Sequence, residues 1–152
     1  CLTAERMGAE DVRVTAVHQT LEVTNLGDMK EGSAVNLEFP CTANSFLGGH
    51  IVMGHVDGVA TVTKIEKLEA GREVYMAFPK DMMKYIISKG SVTLDGASMT
   101  VAEKTEEGIK VAVIPETVAQ TRFGHYEVGT RVNFEVDVLG KYIENFIKEQ
   151  NV

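Results

Sequence analysis

The chain has 152 residues, 44% of them hydrophobic and 24% charged, which is typical of a soluble globular protein. Its net charge of -7 argues against a nucleic-acid partner, and no apolar run approaches the roughly 20 residues that a membrane helix needs. Two cysteines, Cys1 and Cys41, are too few for a disulfide framework, so we expect free thiols and a cytoplasmic location.

Short segments of alternating apolar and polar residues, rich in β-branched side chains, predict strands along most of the chain. In chain order they are Val12 to Val17, Ile51 to Val56, Val59 to Ile65, Glu73 to Phe78, Ser91 to Leu94, Met99 to Val101, Ile109 to Ile114 and Arg131 to Val136. Turn residues such as Asp57-Gly58 and Asp95-Gly96 separate them. This punctuation predicts small antiparallel barrels.

Two helices are predicted besides the strands. The first, Lys80 to Lys89, follows Pro79 and ends before Gly90. The second, Leu139 to Glu149, carries an apolar stripe on one side. The stripe consists of Leu139, Tyr142, Ile143, Phe146 and Ile147. Two interpretations of it stay open: it packs on its own barrel, or it joins about three copies of the chain.

The two ends of the chain share a pattern, since Thr3 and Thr100, like Thr20 and Thr117, are 97 positions apart. The string T-x3-T-x2-G-x4-G-x2-V-N-x-E occurs in both copies without an insertion, which we interpret as a duplication. Residues 48 to 97 lead up to Ser98, whereas nothing precedes its counterpart Cys1. We therefore expect the first copy to lack about half a unit, in an N-terminal segment that this sequence omits.

The richest stretch for chemistry is Gly48-Gly49-His50 through Gly54-His55-Val56-Asp57-Gly58. Glycines inside a strand mark a bulge or the close approach of a ligand. The two histidines are five residues apart and point to opposite faces of a straight strand, so no metal site is expected. Each could be a structural group, but His55 beside Gly54 is a candidate proton carrier, because imidazoles titrate near neutral pH.

Two further segments could form a binding site. Ser98 and Thr100 share one strand face, and Cys1 and Thr3 hold the equivalent positions in the first copy. Pro115 ends a strand and predicts a helical turn, whose free backbone groups could bond a planar heterocycle. An ordinary polar strand face and a plain strand-to-helix junction are the alternatives.

Taken together, these motifs resemble the riboflavin synthase family over nearly the whole chain. The matching strings include Cys1-Leu2-Thr3, Gly48-Gly49-His50, Gly54-His55-Val56-Asp57-Gly58, Asp95-Gly96-x-Ser98-Met99-Thr100-Val101, Ile114-Pro115-Glu116-Thr117 and Val132-Asn133-Phe134-Glu135-Val136-Asp137. The resemblance implies an all-β fold of two tandem Greek-key six-stranded barrels, the first incomplete here, plus a C-terminal α-helix. The implied boundaries are 1–47 for the partial first barrel, 48–137 for the second and 138–152 for an oligomerisation helix.

The resemblance also implies a reaction. The family converts two molecules of 6,7-dimethyl-8-ribityllumazine into riboflavin and a ribitylamino-pyrimidinedione by transfer of a four-carbon unit. It uses no metal or other cofactor. It works as a homotrimer, with each site between the N-terminal barrel of one subunit and the C-terminal barrel of the next. Lumazine synthase is a candidate partner.

Site residues follow from the same resemblance, motif by motif. The implied catalytic residues are Cys1, His55, Ser98, Thr100 and Asp137, with Cys1 and His55 nearest to proton transfer or addition. The implied substrate-binding residues are Cys1, Leu2, Thr3, Thr15, Ala16, Val17, His18, Gln19, Thr20, Gly54, His55, Val56, Lys89, Ser98, Met99, Thr100, Val113, Ile114, Pro115, Glu116, Thr117 and Val118.

The chain departs from the family pattern in three places. The opening M-F-T-G-I stretch is absent, Arg122-Phe123 replaces the usual Thr-Leu, and His18-Gln19 stands where the second copy has Pro115-Glu116. The two sites should therefore be unequal.

Two rival functions remain. One is a non-catalytic lumazine protein of the same fold, which binds one lumazine as an optical antenna. The other is a flavin-binding barrel of a reductase, which would need a nicotinamide domain, and the sequence has no G-x-G-x-x-G loop.

Overall fold

The computed structural model describes residues 1–150, which form eight strands, three α-helices and three short 3₁₀ helices. The strands are β1 (Ala4–Met7), β2 (Val12–Val14), β3 (Gly58–Lys67), β4 (Arg72–Ala77), β5 (Ser91–Leu94), β6 (Ala97–Lys104), β7 (Gly108–Val113) and β8 (Arg131–Val136). The helices are α1 (His18–Val23), α2 (Pro115–Gln120) and α3 (Val138–Gln150), and the 3₁₀ helices span Asn25–Asp28, Met83–Tyr85 and Arg122–His125.

Six strands close into a barrel in the order β3-β4-β7-β6-β5-β8, with β8 pairing back to β3. Every pairing is antiparallel, and the β5–β6 hairpin separates β4 from β7 in sequence although β4 and β7 are neighbours in the sheet. This Greek-key arrangement confirms the predicted fold of the second barrel. Inward side chains of the barrel alternate along the strands with outward ones. Phe78 and Phe134 pack in the interior with ring centroids 4.6 Å apart and ring planes tilted by 45°.

The segment of residues 1–47, called the N-terminal segment below, has a different character. β1 and β2 form an open two-stranded sheet in which every residue is exposed. Its buried residues are polar, namely Thr24 and Asn25, and they lie where the segment meets the barrel. The hydrophobic core is thus the core of the six-stranded barrel.

A helix followed by a 3₁₀ helix occurs in both parts of the chain at equivalent places. α1 and α2 begin at His18 and Pro115, which are 97 positions apart. A threonine follows each helix: Thr24 Oγ1 donates to Thr20 O at 2.5 Å, and Thr121 Oγ1 donates to Thr117 O at 2.6 Å. The two threonine hydroxyls also accept from the next 3₁₀ helix, which fixes the same turn twice.

The predicted helix from Lys80 to Lys89 is wrong. This segment contains turns and the 3₁₀ helix Met83–Tyr85 instead. The ammonium of Lys104 explains the difference, because it donates to Met83 O at 2.8 Å and to Ile86 O at 2.9 Å. Met83 and Ile86 are themselves buried in the core, so packing and a side-chain donor replace the bonds of an α-helix.

The predicted strand from Ile51 to Val56 is also wrong. Residues 51–56 have no regular secondary structure, and Gly54 adopts a φ of 72° that a strand cannot accommodate. A side chain of β8 contacts this segment in place of a strand ladder. Met53 N donates to the buried carboxylate of Glu135 at 2.8 Å.

The C-terminal helix α3 meets the barrel with its polar side. Lys141 Nζ lies 2.7 Å from Asp57 Oδ1, and Glu144 contacts Lys84 and Tyr85. The five residues of the apolar stripe, from Leu139 to Ile147, are each 55–63% exposed. The interpretation in which this stripe packs on its own barrel is therefore wrong. Within the part of the chain described, no helix has the length and apolar character to cross a membrane.

Candidate functional site

The hairpin of β5 and β6 positions Ser98 at the rim of the barrel. Asp95 and Gly96 form its two-residue turn, with φ values of 44° and 84°. Positive φ at both central residues is the requirement of a type I′ turn, which explains the Asp-Gly sequence. Thr93 and Ser98 face each other across the hairpin, and Ser98 and Thr100 both lie on its exposed side.

His50 lies within hydrogen-bond distance of both Ser98 and Thr93. Its Nδ1 lies 2.7 Å from Ser98 Oγ, and its Nε2 lies 3.2 Å from the hydroxyl of the buried Thr93. A neutral imidazole has one N–H and one lone pair, so it donates to one of these hydroxyls and accepts from the other. Ser98 is therefore bonded to a group that can take up or return a proton.

Gly49 makes this contact possible. A Cβ at Gly49 would lie 2.4 Å from Ser98 Oγ and 2.7 Å from Ser98 Cβ. Any larger residue would push the serine away from the histidine. The close backbone approach predicted from the glycines is thus found at Gly49, where it is made to a side chain of the same site.

The other predicted centre, Cys1, lies at the far end of the same segment. Its backbone nitrogen donates to Gly54 O, and a Cβ at Gly54 would lie 3.0 Å from Cys1 Cβ. Cys1 and Ser98 are repeat-equivalent, so a single segment carrying Gly49-His50 and Gly54-His55 touches both equivalent positions. The structure in this way brings each of the two predicted centres next to a Gly-His pair.

His55 is exposed and borders a cavity of about 300 Å³ between this segment and α3. The cavity is also lined by the buried Glu135 and by Lys141 and Tyr142 of α3. The residues on either side of His55 are fixed, because Met53 is bonded to Glu135 and Asp57 accepts from Val136 N at 2.9 Å. His55 therefore lies between two hydrogen-bonded residues at the base of the helix.

The remaining predicted binding residues lie in two stretches, each of which follows a strand. β6 and β7 are antiparallel, so the segment Val113 to Val118 begins at the Ser98 end of β6. In the N-terminal segment the pairing of Ala4 with Val14 places Thr15 to Thr20 at the Cys1 end of β1. In both parts, the strand start and the helical turn predicted from sequence lie together.

Two predicted residues have evident structural roles. Lys89 has a φ of 65°, uncommon for a residue with a side chain, and its N–H donates to Val101 O at 2.8 Å beside Thr100. Asp137 Oδ1 accepts from Leu139 N at 3.0 Å and so caps the start of α3. The geometry gives Asp137 a capping function in addition to the catalytic support expected of it.

His50 and Thr93 were not among the predicted site residues. Two signals could have found them: the Asp-Gly turn sets the register that pairs Thr93 with Ser98, and His50 follows Gly49 as His55 follows Gly54. The strand predicted for residues 51–56 led away from His50, because it placed the two histidines on opposite faces of one sheet.

Comparison with known proteins agrees with this geometry. The family model of the lumazine binding domain matches residues 1–40 and 53–137. The chain belongs to this family. Curated relatives include the riboflavin synthase of Actinobacillus pleuropneumoniae, 39% identical over 97% of this chain and 68% of the relative. The riboflavin synthase of Bacillus subtilis is 39% identical over 99% of this chain and 70% of its own length.

Solved structures show the same lumazine-binding fold. LumP complexed with riboflavin has a TM-score of 0.81 and 30% identity, over 89% of this chain and 73% of LumP. LumP complexed with 6,7-dimethyl-8-(1'-D-ribityl) lumazine has a TM-score of 0.78 and 28% identity, with 89% and 72% of the two chains covered. The family resemblance read from the motifs is confirmed.

Proposed function

We propose that this lumazine-binding protein is a riboflavin synthase, which converts two 6,7-dimethyl-8-ribityllumazine molecules into riboflavin and a ribitylamino-pyrimidinedione. The observation that carries the proposal is the contact of one Gly-His segment with two equivalent polar centres, Cys1 and Ser98. Two similar sites suit a reaction that consumes two identical substrates. The riboflavin synthase relatives support the same function.

The chain's own groups have defined tasks in this proposal. One lumazine must lose a proton from a methyl group, and a nucleophile must add to the other ring. Ser98 with His50 is a hydroxyl–imidazole pair that can exchange a proton, and Cys1 and His55 are the other groups that could add to a ring or carry a proton. Thr100 and Lys89 would hold polar groups of the substrate. Holding the two rings in register would supply much of the rate acceleration.

The two sites arise, in this proposal, from a duplicated lumazine-binding unit, with residues 1–47 from the first copy and 48–137 from the second. Support comes from the matched positions of α1 and α2 and of the two 3₁₀ helices after them. The Val113–Val118 and Thr15–Thr20 stretches would bind the heterocycle in their respective units.

We assign α3 to trimerisation, and its exposed apolar stripe supports this. The last two residues of the range 138–152 predicted for this helix lie outside the described residues. The trimer would pair the first unit of one subunit with the second unit of the next. A cytoplasmic location, catalysis without a metal or other cofactor and contact with lumazine synthase complete the proposal.

A non-catalytic lumazine or flavin carrier of the same fold is the second candidate, favoured by the similarity to LumP. The two are separated by incubating the protein with 6,7-dimethyl-8-ribityllumazine and following absorbance. Formation of riboflavin supports the synthase. Tight binding without turnover supports the carrier, and absence of both contradicts each candidate.

A further inference from the structure

We propose that Asn36 and Arg122 are positioning residues for the Ser98 site, which they support by holding the Asp95-Gly96 turn from outside the hairpin. The cluster of Asn36, Asp95, Arg122 and Tyr126 is called the Asp95 brace below. The inference rests on the proposed function for its catalytic consequence, but not for its structural one.

Asp95 is the centre of the brace, and its residue is only 9% exposed. Its Oδ2 accepts from Arg122 Nη1 at 2.9 Å and from the Tyr126 hydroxyl at 2.7 Å. Its Oδ1 accepts from Asn133 N at 2.9 Å. A buried carboxylate needs such partners, because an unpaired charge in the interior is strongly destabilising.

Tyr126 remains a hydrogen-bond donor under all ordinary conditions. Burial raises the pKa of its phenol far above the usual value, and the neighbouring negative charge of Asp95 raises it further. The phenol therefore stays protonated and can donate to the carboxylate.

Asn36 closes the cluster from the N-terminal segment. Its Nδ2 donates to Asp95 O at 2.7 Å, and its Oδ1 accepts from Arg122 N at 2.8 Å. This orientation of the amide is the one that satisfies both partners, since one is a carbonyl and the other an N–H. One side chain thus fixes both the turn and the residue that neutralises its carboxylate.

Asn25, the repeat equivalent of Arg122, makes different side-chain contacts where the N-terminal segment meets the barrel. Asn25 stands 97 positions before Arg122, and its N–H donates to Asn133 Oδ1 at 2.7 Å, as Arg122 N does to Asn36. The Asn25 side chain, however, bonds Arg131 O and Asn133, both at 2.8 Å, and carries no charge. Arg122 thus bonds the carboxylate of the turn that precedes Ser98, whereas the Asn25 side chain bonds Arg131 and Asn133 instead.

The turn matters for the site because Ser98 and Thr93 lie on the two strands that it joins, whereas His50 lies on a separate segment. A displaced turn moves both hydroxyls relative to the imidazole. A misplacement of about 1 Å can lower a rate by as much as about a hundredfold.

The test compares Asn36→Ala with the matched control Asn25→Ala in the full chain. Both variants remove side-chain hydrogen bonds at the same junction, so we expect similar losses of thermal stability. Asn36→Ala should lower kcat by about tenfold while lumazine Kd changes by less than about threefold. Asn25→Ala should keep kcat within about twofold. Amide ¹H–¹⁵N signals of Gly96 and Ser98 should shift in the first variant and not in the second.

A conservative series adds a rescue arm. Arg122→Lys keeps a positive charge near Asp95 and should retain more turnover than Arg122→Met, which leaves the carboxylate without a cation. Asn36→Asp keeps the acceptor for Arg122 N but loses the donor to Asp95 O. If Asn36→Ala does not fold, Asn36→Asp takes its place, and its kcat and its Gly96 and Ser98 amide signals are compared with those of Asn25→Ala.

Equal loss of kcat in Asn36→Ala and Asn25→Ala would overturn the inference, and so would unshifted Gly96 and Ser98 signals in Asn36→Ala. If the unmodified protein makes no riboflavin, the proposed function fails. The NMR comparison then decides on the brace alone: signals that shift only in Asn36→Ala support it, and signals that do not differ between the variants overturn it.

Discussion

At the scale of single residues, the site depends on close approaches that leave no room for a side chain. Gly49 is the clearest case, because it brings the backbone against Ser98 while the next residue, His50, bonds the same hydroxyl. Sequence identified the glycines as a place of close approach but could not say what approached. That depends on the hairpin register, which is a contact between residues far apart in the chain.

Gly49→Ala should therefore lower turnover by about tenfold, since the new methyl group would displace Ser98 from His50. Gly48→Ala is the matched control, because a Cβ at Gly48 meets no atom within 4 Å. Steady-state kinetics and thermal unfolding of both variants make the comparison. Unchanged turnover in Gly49→Ala would show that the Ser98–His50 distance is not important for the reaction.

At the scale of elements, the strands of the barrel were predictable, whereas β1 and the irregular segments 51–56 and 80–89 were not. Asp-Gly turns and alternating residues locate β3 to β8 within a few positions. The segment 80–89 looked helical because helix formers lie between Pro79 and Gly90, but the carbonyls of Met83 and Ile86 bond Lys104 from a distant strand. A tertiary donor of that kind leaves no local pattern in the sequence.

The attachment of α3 depends on Glu144. Hydrogen bonds from Lys148, Lys84 and Tyr85 lower the pKa of this carboxyl from its usual 4.5 to about 2. A group with a lowered pKa in the folded state stabilises that state above its unfolded pKa. The stabilisation is lost as pH falls from 4.5 through about 2.

Glu144→Gln should accordingly speed hydrogen exchange of the α3 amides at pH 6, after correction for intrinsic rates. The unmodified chain should approach the variant between pH 4.5 and 2, where Glu144 becomes protonated. Glu149→Gln makes the same charge change on the same helix. It should change exchange little, because Glu149 accepts a hydrogen bond from its helix neighbour Asn145. Equal acceleration in the two variants would contradict the anchoring role of Glu144.

At the scale of the whole molecule, the polar side of α3 is attached to the barrel and the apolar side is left exposed. The stripe could be predicted from its spacing, whereas its direction could not, because that follows from Lys141 meeting Asp57 and Glu144 meeting Lys84. An apolar stripe of this length favours association with further copies of the chain.

Phe146→Glu should dissociate the proposed trimer, because it places a charge in the middle of the stripe. Leu68→Glu is the matched control: it also replaces an exposed apolar side chain, 51% exposed, but in the β3–β4 turn. Light scattering during size-exclusion chromatography measures the mass. A monomer for the unmodified chain, or a trimer for Phe146→Glu, would contradict the role of α3.

The central claim is that two equivalent centres act on two identical substrates. Its most direct test is the mass balance of a reaction in which the protein receives 6,7-dimethyl-8-ribityllumazine alone, without metal or nicotinamide cofactor. The account predicts one riboflavin and one ribitylamino-pyrimidinedione for every two lumazines consumed. Lumazine that stays bound and unconsumed, or riboflavin formed without an equal amount of the pyrimidinedione, would contradict it.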